Sequence, residues 1–192
     1  MTDMKDLLWS ELRDARDVLV WKLEGLGEYD LRRPMTPTGT NLLGVVKHVA
    51  LEEYGKLGRR FGRPPPERLA CEIDGSLWHY GDMWATQDES AEYIKGFYRR
   101  ACDHADETIG MLELDAVGSV PDAREITLGA VLVGMVGETR RHGGHIDIVR
   151  ELIDGSAGGS RDSSGFHEGA DEQWRREYVD RLEAVARAAE AR

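Results

Sequence analysis

The chain has 192 residues, 41% of them hydrophobic and 32% charged, with 36 acidic against 25 basic side chains and a net charge of −11. That length and composition fit a globular domain with a proper core plus an appendage, not a disordered or fibrous chain. The acidic balance argues against nucleic acid or an anionic membrane surface as a partner, and no run of about 18 apolar residues exists to span a bilayer.

The N-terminal stretch MTDMKDLLWSELRD lacks the basic and apolar blocks of a signal peptide, so the cytoplasm is the expected compartment. The first predicted helix spans roughly Met4 to Gly25, with Leu7, Leu8, Leu12, Ala15, Leu19 and Leu23 at helical spacing. Thr2 or Asp3 would cap it, and Gly25 and Gly27 stand where a helix stops. The loop RRPMTPTGTN follows, then a second helix over about Thr40 to Leu57 that turns Leu42, Val45, Val46 and Val49 inward.

Residues 62–88 read as an irregular crossover, since RPPPER cannot be helical, and Trp78, Tyr80 and Trp84 lie in polar company. A third helix is predicted from Asp88 to about Leu114, started by Asp88 or Ser90, with Tyr93, Ile94, Phe97, Tyr98 and Ala101 as its apolar face. After VGSVPDARE a fourth runs from near Thr127 to Asp154–Gly155. No alternating strand pattern stands out. Cys71 and Cys102 show no metal-type spacing and are expected to be free thiols. The dense basic pairs, Arg99–Arg100 and Arg140–Arg141, are expected on solvated helix faces.

The expected organisation is therefore all-α: a four-helix bundle with a long crossover over residues 1–155, a Gly/Ser-rich linker over 156–169, and an amphipathic helix over 170–192. Trp174, Tyr178, Leu182, Val185 and Ala189 line one face of that last helix, which suits it to lie across the bundle or to support a homodimer.

The fourth helix carries the chemistry. Leu128, Leu132, Met135, Thr139, His142, Ile146, Val149 and Ile153 advance in steps of four and three, the stripe of a core-facing helix. His142 therefore occupies a core position, and at about 100° per residue Glu138, His142 and His145 fall within an arc of roughly 60°. Burying a carboxylate and two imidazoles without partners costs several kcal/mol. A divalent cation would satisfy them; so, in part, would a hydrogen-bonded core network, and the residues by themselves leave both open. The i, i+4 pair Glu138/His142 is a good helical chelate. A further ligand would come from a facing helix, where His48, at the edge of the Leu42/Val45/Val49 stripe, is the best match. Gly143 and Gly144 each cost roughly 1 kcal/mol within a helix, which points either to close packing or to room for a ligand.

At these residues the sequence resembles the DinB-like superfamily of helical-bundle, metal-dependent proteins, and more narrowly its actinobacterial branch catalogued as a domain of unknown function. The matching stretches are LLGVVKHVALEEYG, DMWATQDESAEYI and TLGAVLVGMVGETRRHGGHIDIVRELIDG, and the resemblance covers about residues 5 to 155. It implies a metal held by His48, Glu138 and His142. Most members carry His where this chain has Glu138, whereas the mycothiol-dependent maleylpyruvate isomerases are similar in having Glu there. His145 is then a fourth ligand or an acid–base group.

The resemblance further implies chemistry with a low-molecular-weight thiol, mycothiol in actinobacteria, as co-substrate. The expected function is a mycothiol-dependent S-transferase acting on small electrophiles, with a divalent metal: zinc first, while nickel, iron or manganese suit the same donors. A metal-dependent hydrolase, and a non-catalytic stress-related binding protein, are the competing readings.

Overall fold

The computed structural model describes residues 3–119, 125–160 and 165–190. Helix α1 covers Met4–Trp21, and the Asp3 side chain accepts from the Lys5 amide at its start. Thr2, the alternative cap, lies outside the described residues. The helix ends before Gly25, because the chain turns there through a left-handed φ of 74°; Leu23 stays buried nonetheless. The next segment holds a short helix, α2 (Glu28–Arg32), too brief for periodicity to reveal. Arg32 donates to the carbonyls of Ala85 and Thr86, and Glu28 accepts from the Ala91 amide, so α2 clasps the crossover.

Helix α3 (Leu42–Glu53) is capped by Asn41, whose Oδ1 accepts from the Gly44 amide at 2.7 Å. Its path continues through a wide π turn at Tyr54–Gly58 and a 3-10 turn at Arg59–Phe61. The crossover contains α4 (Ala70–Ile73) and a 3-10 turn at Ser76–His79. Helix α5 (Ala91–Met111) starts at Ser90, not Asp88: the Ser90 hydroxyl accepts from the Tyr93 amide. Ile94, Phe97, Tyr98 and Ala101 are buried as expected, whereas Tyr93 is largely exposed.

Two short strands correct the expectation of none. β1 (Val117–Ser119) pairs antiparallel with β2 (Glu125–Thr127). Three residues are too few to show alternation. Gly118 is required there, since a Cβ would stand 2.8 Å from both the Arg60 carbonyl and the Phe61 ring. Helix α6 (Leu128–Asp154) matches its predicted bounds: Thr127 accepts from the Ala130 amide, and Gly155 closes the helix at φ 75°.

The chain divides into two compact units, Met1–Ala157 and Gly158–Arg192. In the second, α7 (Glu172–Glu190) stacks Trp174 on Tyr178 with ring centroids 5.1 Å apart, and none of its residues is buried. The fold is all-α apart from the small hairpin. No described helix is long and apolar enough to cross a membrane.

In the first unit α1 packs against α6, and α3 packs against α5 and α6. Two apolar clusters result. One gathers Leu19, Val46, Val49, Ala50, Phe97, Ala101, Ile146 and Val149; the other gathers Leu12, Leu57, Ala105, Ile109, Leu132 and Met135. Helices α1, α5 and α6, and the path that continues α3, thus change cluster partway along, and buried polar groups occupy the interval on α1, α6 and at the end of α3. Arg16 lies between Leu12 and Leu19, Glu53 between Ala50 and Leu57, and Thr139 and His142 between Met135 and Ile146. Arg16 Nε and Nη2 each reach the Glu53 carboxylate at 2.8 Å, and Nη1 reaches Asp106 at 2.6 Å.

Candidate metal centre

The polar interval of α6 faces α3, and there the donors meet. His142 is buried on the stripe, and its Nε2 lies 3.1 Å from Glu138 Oε1, one turn back. His48 approaches from α3 with Nε2 at 3.7 Å from the same oxygen. The His48 and His142 ring centroids are 4.8 Å apart. One ligand atom from each of His48, Glu138 and His142 lies within 4.8 Å of the others.

Two donors about 2.1 Å from a common ion at the tetrahedral angle stand about 3.4 Å apart, so the separations of 3.1 and 3.7 Å from Glu138 Oε1 to the two imidazoles are of the size that a shared divalent cation requires. The donor chemistry agrees: two imidazoles and a carboxylate form a borderline set suited to zinc, nickel, iron or manganese. Three protein ligands would also leave a coordination position open on a bound ion. The His142 side chain is only 5% exposed, but those of His48 and Glu138 are 20% and 25% exposed, so a small molecule can approach the centre from their side.

The electrostatics are those of crowded donors. Burial alone would lower the His48 pKa, but its hydrogen bond to Asp82 and the charges of Glu52 and Asp82 outweigh that and raise it. Burial, together with the His48 charge, lowers the His142 pKa despite Glu138. For Glu138, burial works upward but the Lys56 charge and the His142 hydrogen bond win, holding it below the usual carboxylate range. His142 Nδ1 and Thr139 Oγ1 are buried and find no hydrogen-bond partner among the described residues.

His145 stands apart from these three. It is exposed, its ring centroid 5.3 Å from that of His142, and it contributes no atom to the cluster. The remaining histidines lie elsewhere: His104 contacts the Arg63 carbonyl, His167 contacts the Glu168 carbonyl, and His79 is exposed in the crossover. The two glycines are not packing devices, since a Cβ on Gly143 or Gly144 would meet nothing within 4 Å. Arg140 pairs with Glu11 of α1, and Arg141 is exposed.

Sequence pattern did not reveal Asp82. Its Oδ2 lies 2.7 Å from His48 Nδ1, across 34 residues of chain. It belongs to the stretch DMWATQDESAEYI, but nothing in its spacing marks it. Cys71 and Cys102 are both free, and burial pushes both thiols up, so neither is poised as a thiolate at neutral pH.

A family model described as mycothiol-S-transferase matches residues 7–155, more than three quarters of the chain. The chain belongs to the mycothiol-S-transferase family. The match begins in the first turn of α1, runs through α6 and ends where the first compact unit ends, within two residues. It agrees with the resemblance to DinB-like, mycothiol-related proteins over about residues 5 to 155. No curated protein matches the chain.

Proposed function

We propose that this mycothiol-S-transferase family member is a cytoplasmic, metal-dependent enzyme that transfers mycothiol to small electrophiles. The observation that carries this reading is the convergence of His48, Glu138 and His142, within the family-matched segment, on one partly open point. His48 Nε2, His142 Nε2 and the Glu138 carboxylate would hold the ion, zinc foremost. When bound, such an ion lowers the pKa of a thiol placed at its open position and so supplies thiolate at neutral pH.

The protein's residues do the rest. Glu138 offsets positive charge at the centre, and its exposed edge borders the approach. His145, unbound and solvent-facing, accepts the thiol proton at a ring nitrogen. The sulfur then forms a bond to the electrophilic carbon, while the leaving group departs with its electron pair and takes up a proton. The high pKa of Cys71 and Cys102 suits a reaction whose nucleophile comes from outside the chain.

In this reading residues 1–155 are the catalytic module, 156–169 a linker and 170–192 an appended helix that supports homodimerisation. Exposed Tyr178, Val179, Leu182 and Val185 on α7 support the last point; light scattering on the purified protein tests it.

The activity is tested by incubating zinc-loaded protein with 1-chloro-2,4-dinitrobenzene, with and without mycothiol. Mycothiol-dependent release of chloride is expected, and His145→Ala is expected to keep the zinc while slowing turnover by about a hundredfold or more. Equal turnover without thiol would overturn the transferase reading in favour of hydrolysis. Purified protein that takes up no divalent metal would overturn the metal centre and leave a hydrogen-bonded core network.

A further inference from the structure

We propose that Asp82, on the crossover between α3 and α5, is a positioning residue of the metal centre: its carboxylate fixes the ring orientation and tautomer of His48. The proposal rests on the metal reading above. An ionised carboxylate only accepts hydrogen bonds, so the 2.7 Å contact requires the proton on His48 Nδ1. The Nε2 lone pair is then directed toward Glu138 and His142. Imidazole ligands are commonly tied down this way, and the second hydrogen bond also makes the ligand nitrogen more basic.

The crossover is anchored so that this contact is not left to chance. The Met83 carbonyl accepts from Asn41 Nδ2 at 3.0 Å and occupies the place where a Gly44 Cβ would stand, 1.8 Å away. The Trp84 carbonyl accepts from Lys47 Nζ at 3.0 Å, and the same ammonium pairs with Glu89 at 2.8 Å. Glu89 in turn accepts from the Thr86 amide. Residues 83–89 are therefore fastened to the N-terminal half of α3, from its cap to Lys47 beside His48, without help from the Asp82 side chain. That side chain is only 15% exposed, and among the described residues its hydrogen-bond partner is His48. Holding the loop is already accomplished by others; orienting the imidazole is not. His142 Nδ1 has no comparable partner among the described residues; that ring is placed by its packing on the α6 stripe and by Glu138 at Nε2.

The test measures zinc affinity by competition with a chromophoric chelator, and the visible spectrum of the cobalt-loaded protein. The variants are Asp82→Ala, Asp82→Asn and, as a control, Asp88→Asn, which removes an exposed crossover carboxylate. Both Asp82 variants are expected to lose about 10–100-fold in zinc affinity and to shift the cobalt bands, while their metal-free melting stays close to wild type. Asp88→Asn is expected to match wild type. Should Asp82→Ala fail to fold, Asp82→Asn, which conserves volume, carries the test. Affinities within twofold of wild type with an unchanged cobalt spectrum would overturn the proposal, as would an equal loss in Asp88→Asn. Absence of zinc uptake by the wild-type protein would instead overturn the metal reading, and this proposal with it.

Discussion

A single imidazole illustrates how the site opposes the core. His142 sits at a position whose neighbours on the α6 stripe are Met135, Thr139, Ile146 and Val149, all buried. Its Nδ1 is buried without a partner among the described residues, and such a group costs about 1–3 kcal/mol. His142→Leu fills the same space with apolar atoms, and Glu138, being partly exposed, can turn to water. The metal-free variant is therefore expected to be more stable than metal-free wild type by about 1–2 kcal/mol in urea denaturation, while its zinc uptake is abolished. Lower stability of the variant would show that His142 is a satisfied core residue rather than a strained one. His145 contrasts with it: about 60° away around α6, it falls off the stripe and into solvent. Residues three apart in sequence thus live in different media.

At the scale of elements, the crossover matters more than its irregular sequence suggests. Gly44, in the first turn of α3, would be better as alanine by up to about 1 kcal/mol on helix propensity alone. The Met83 carbonyl reverses that sign, because a Cβ 1.8 Å from a backbone oxygen cannot be accommodated by a side-chain rotation. Either α3 or the crossover must shift, and overpacking of this kind costs about 1–3 kcal/mol. Gly44→Ala is expected to lower the thermal midpoint and, by carrying Asp82 away from His48, to weaken zinc binding as well. Calorimetry and the chelator competition read the two effects separately; an unchanged midpoint would mean that the crossover yields freely. The clasp of α2 works from the other side, with Arg32 on the Ala85 and Thr86 carbonyls and Glu28 on the first amide of α5.

Across the whole first unit, the bundle is two apolar clusters with a polar interval between them. The Arg16–Glu53 pair and the His48/Glu138/His142 group occupy that interval on different helix pairs. A buried ion pair adds little net stability, but removing one partner leaves an uncompensated charge and costs about 3–5 kcal/mol. Against a total stability of about 5–15 kcal/mol, Glu53→Ala is expected to leave the protein marginal. The double replacement Arg16→Met with Glu53→Leu is expected to recover most of that loss, since Asp106 is partly exposed and keeps Trp9 and Arg13 as partners. Urea titration of the single and double variants checks this. A double variant as unstable as the single one would show that the interval depends on its charges for more than mutual compensation.

What the sequence by itself determined was local. The α6 bounds, the narrowing of two caps to Thr2 or Asp3 and to Asp88 or Ser90, and the sharing of one helix face by Glu138 and His142 all follow from spacing within a few residues. His48 was legible because it borders a stripe on its own helix. Tertiary structure alone decided which donors meet, that Asp82 reaches His48 from 34 residues away, and that Arg16 finds Glu53. It also decided that 117–119 and 125–127 pair as strands. The physical reason is the same throughout. Helical periodicity fixes the direction of a side chain, but its partner across the bundle depends on how the helices pack and where an irregular crossover is pinned.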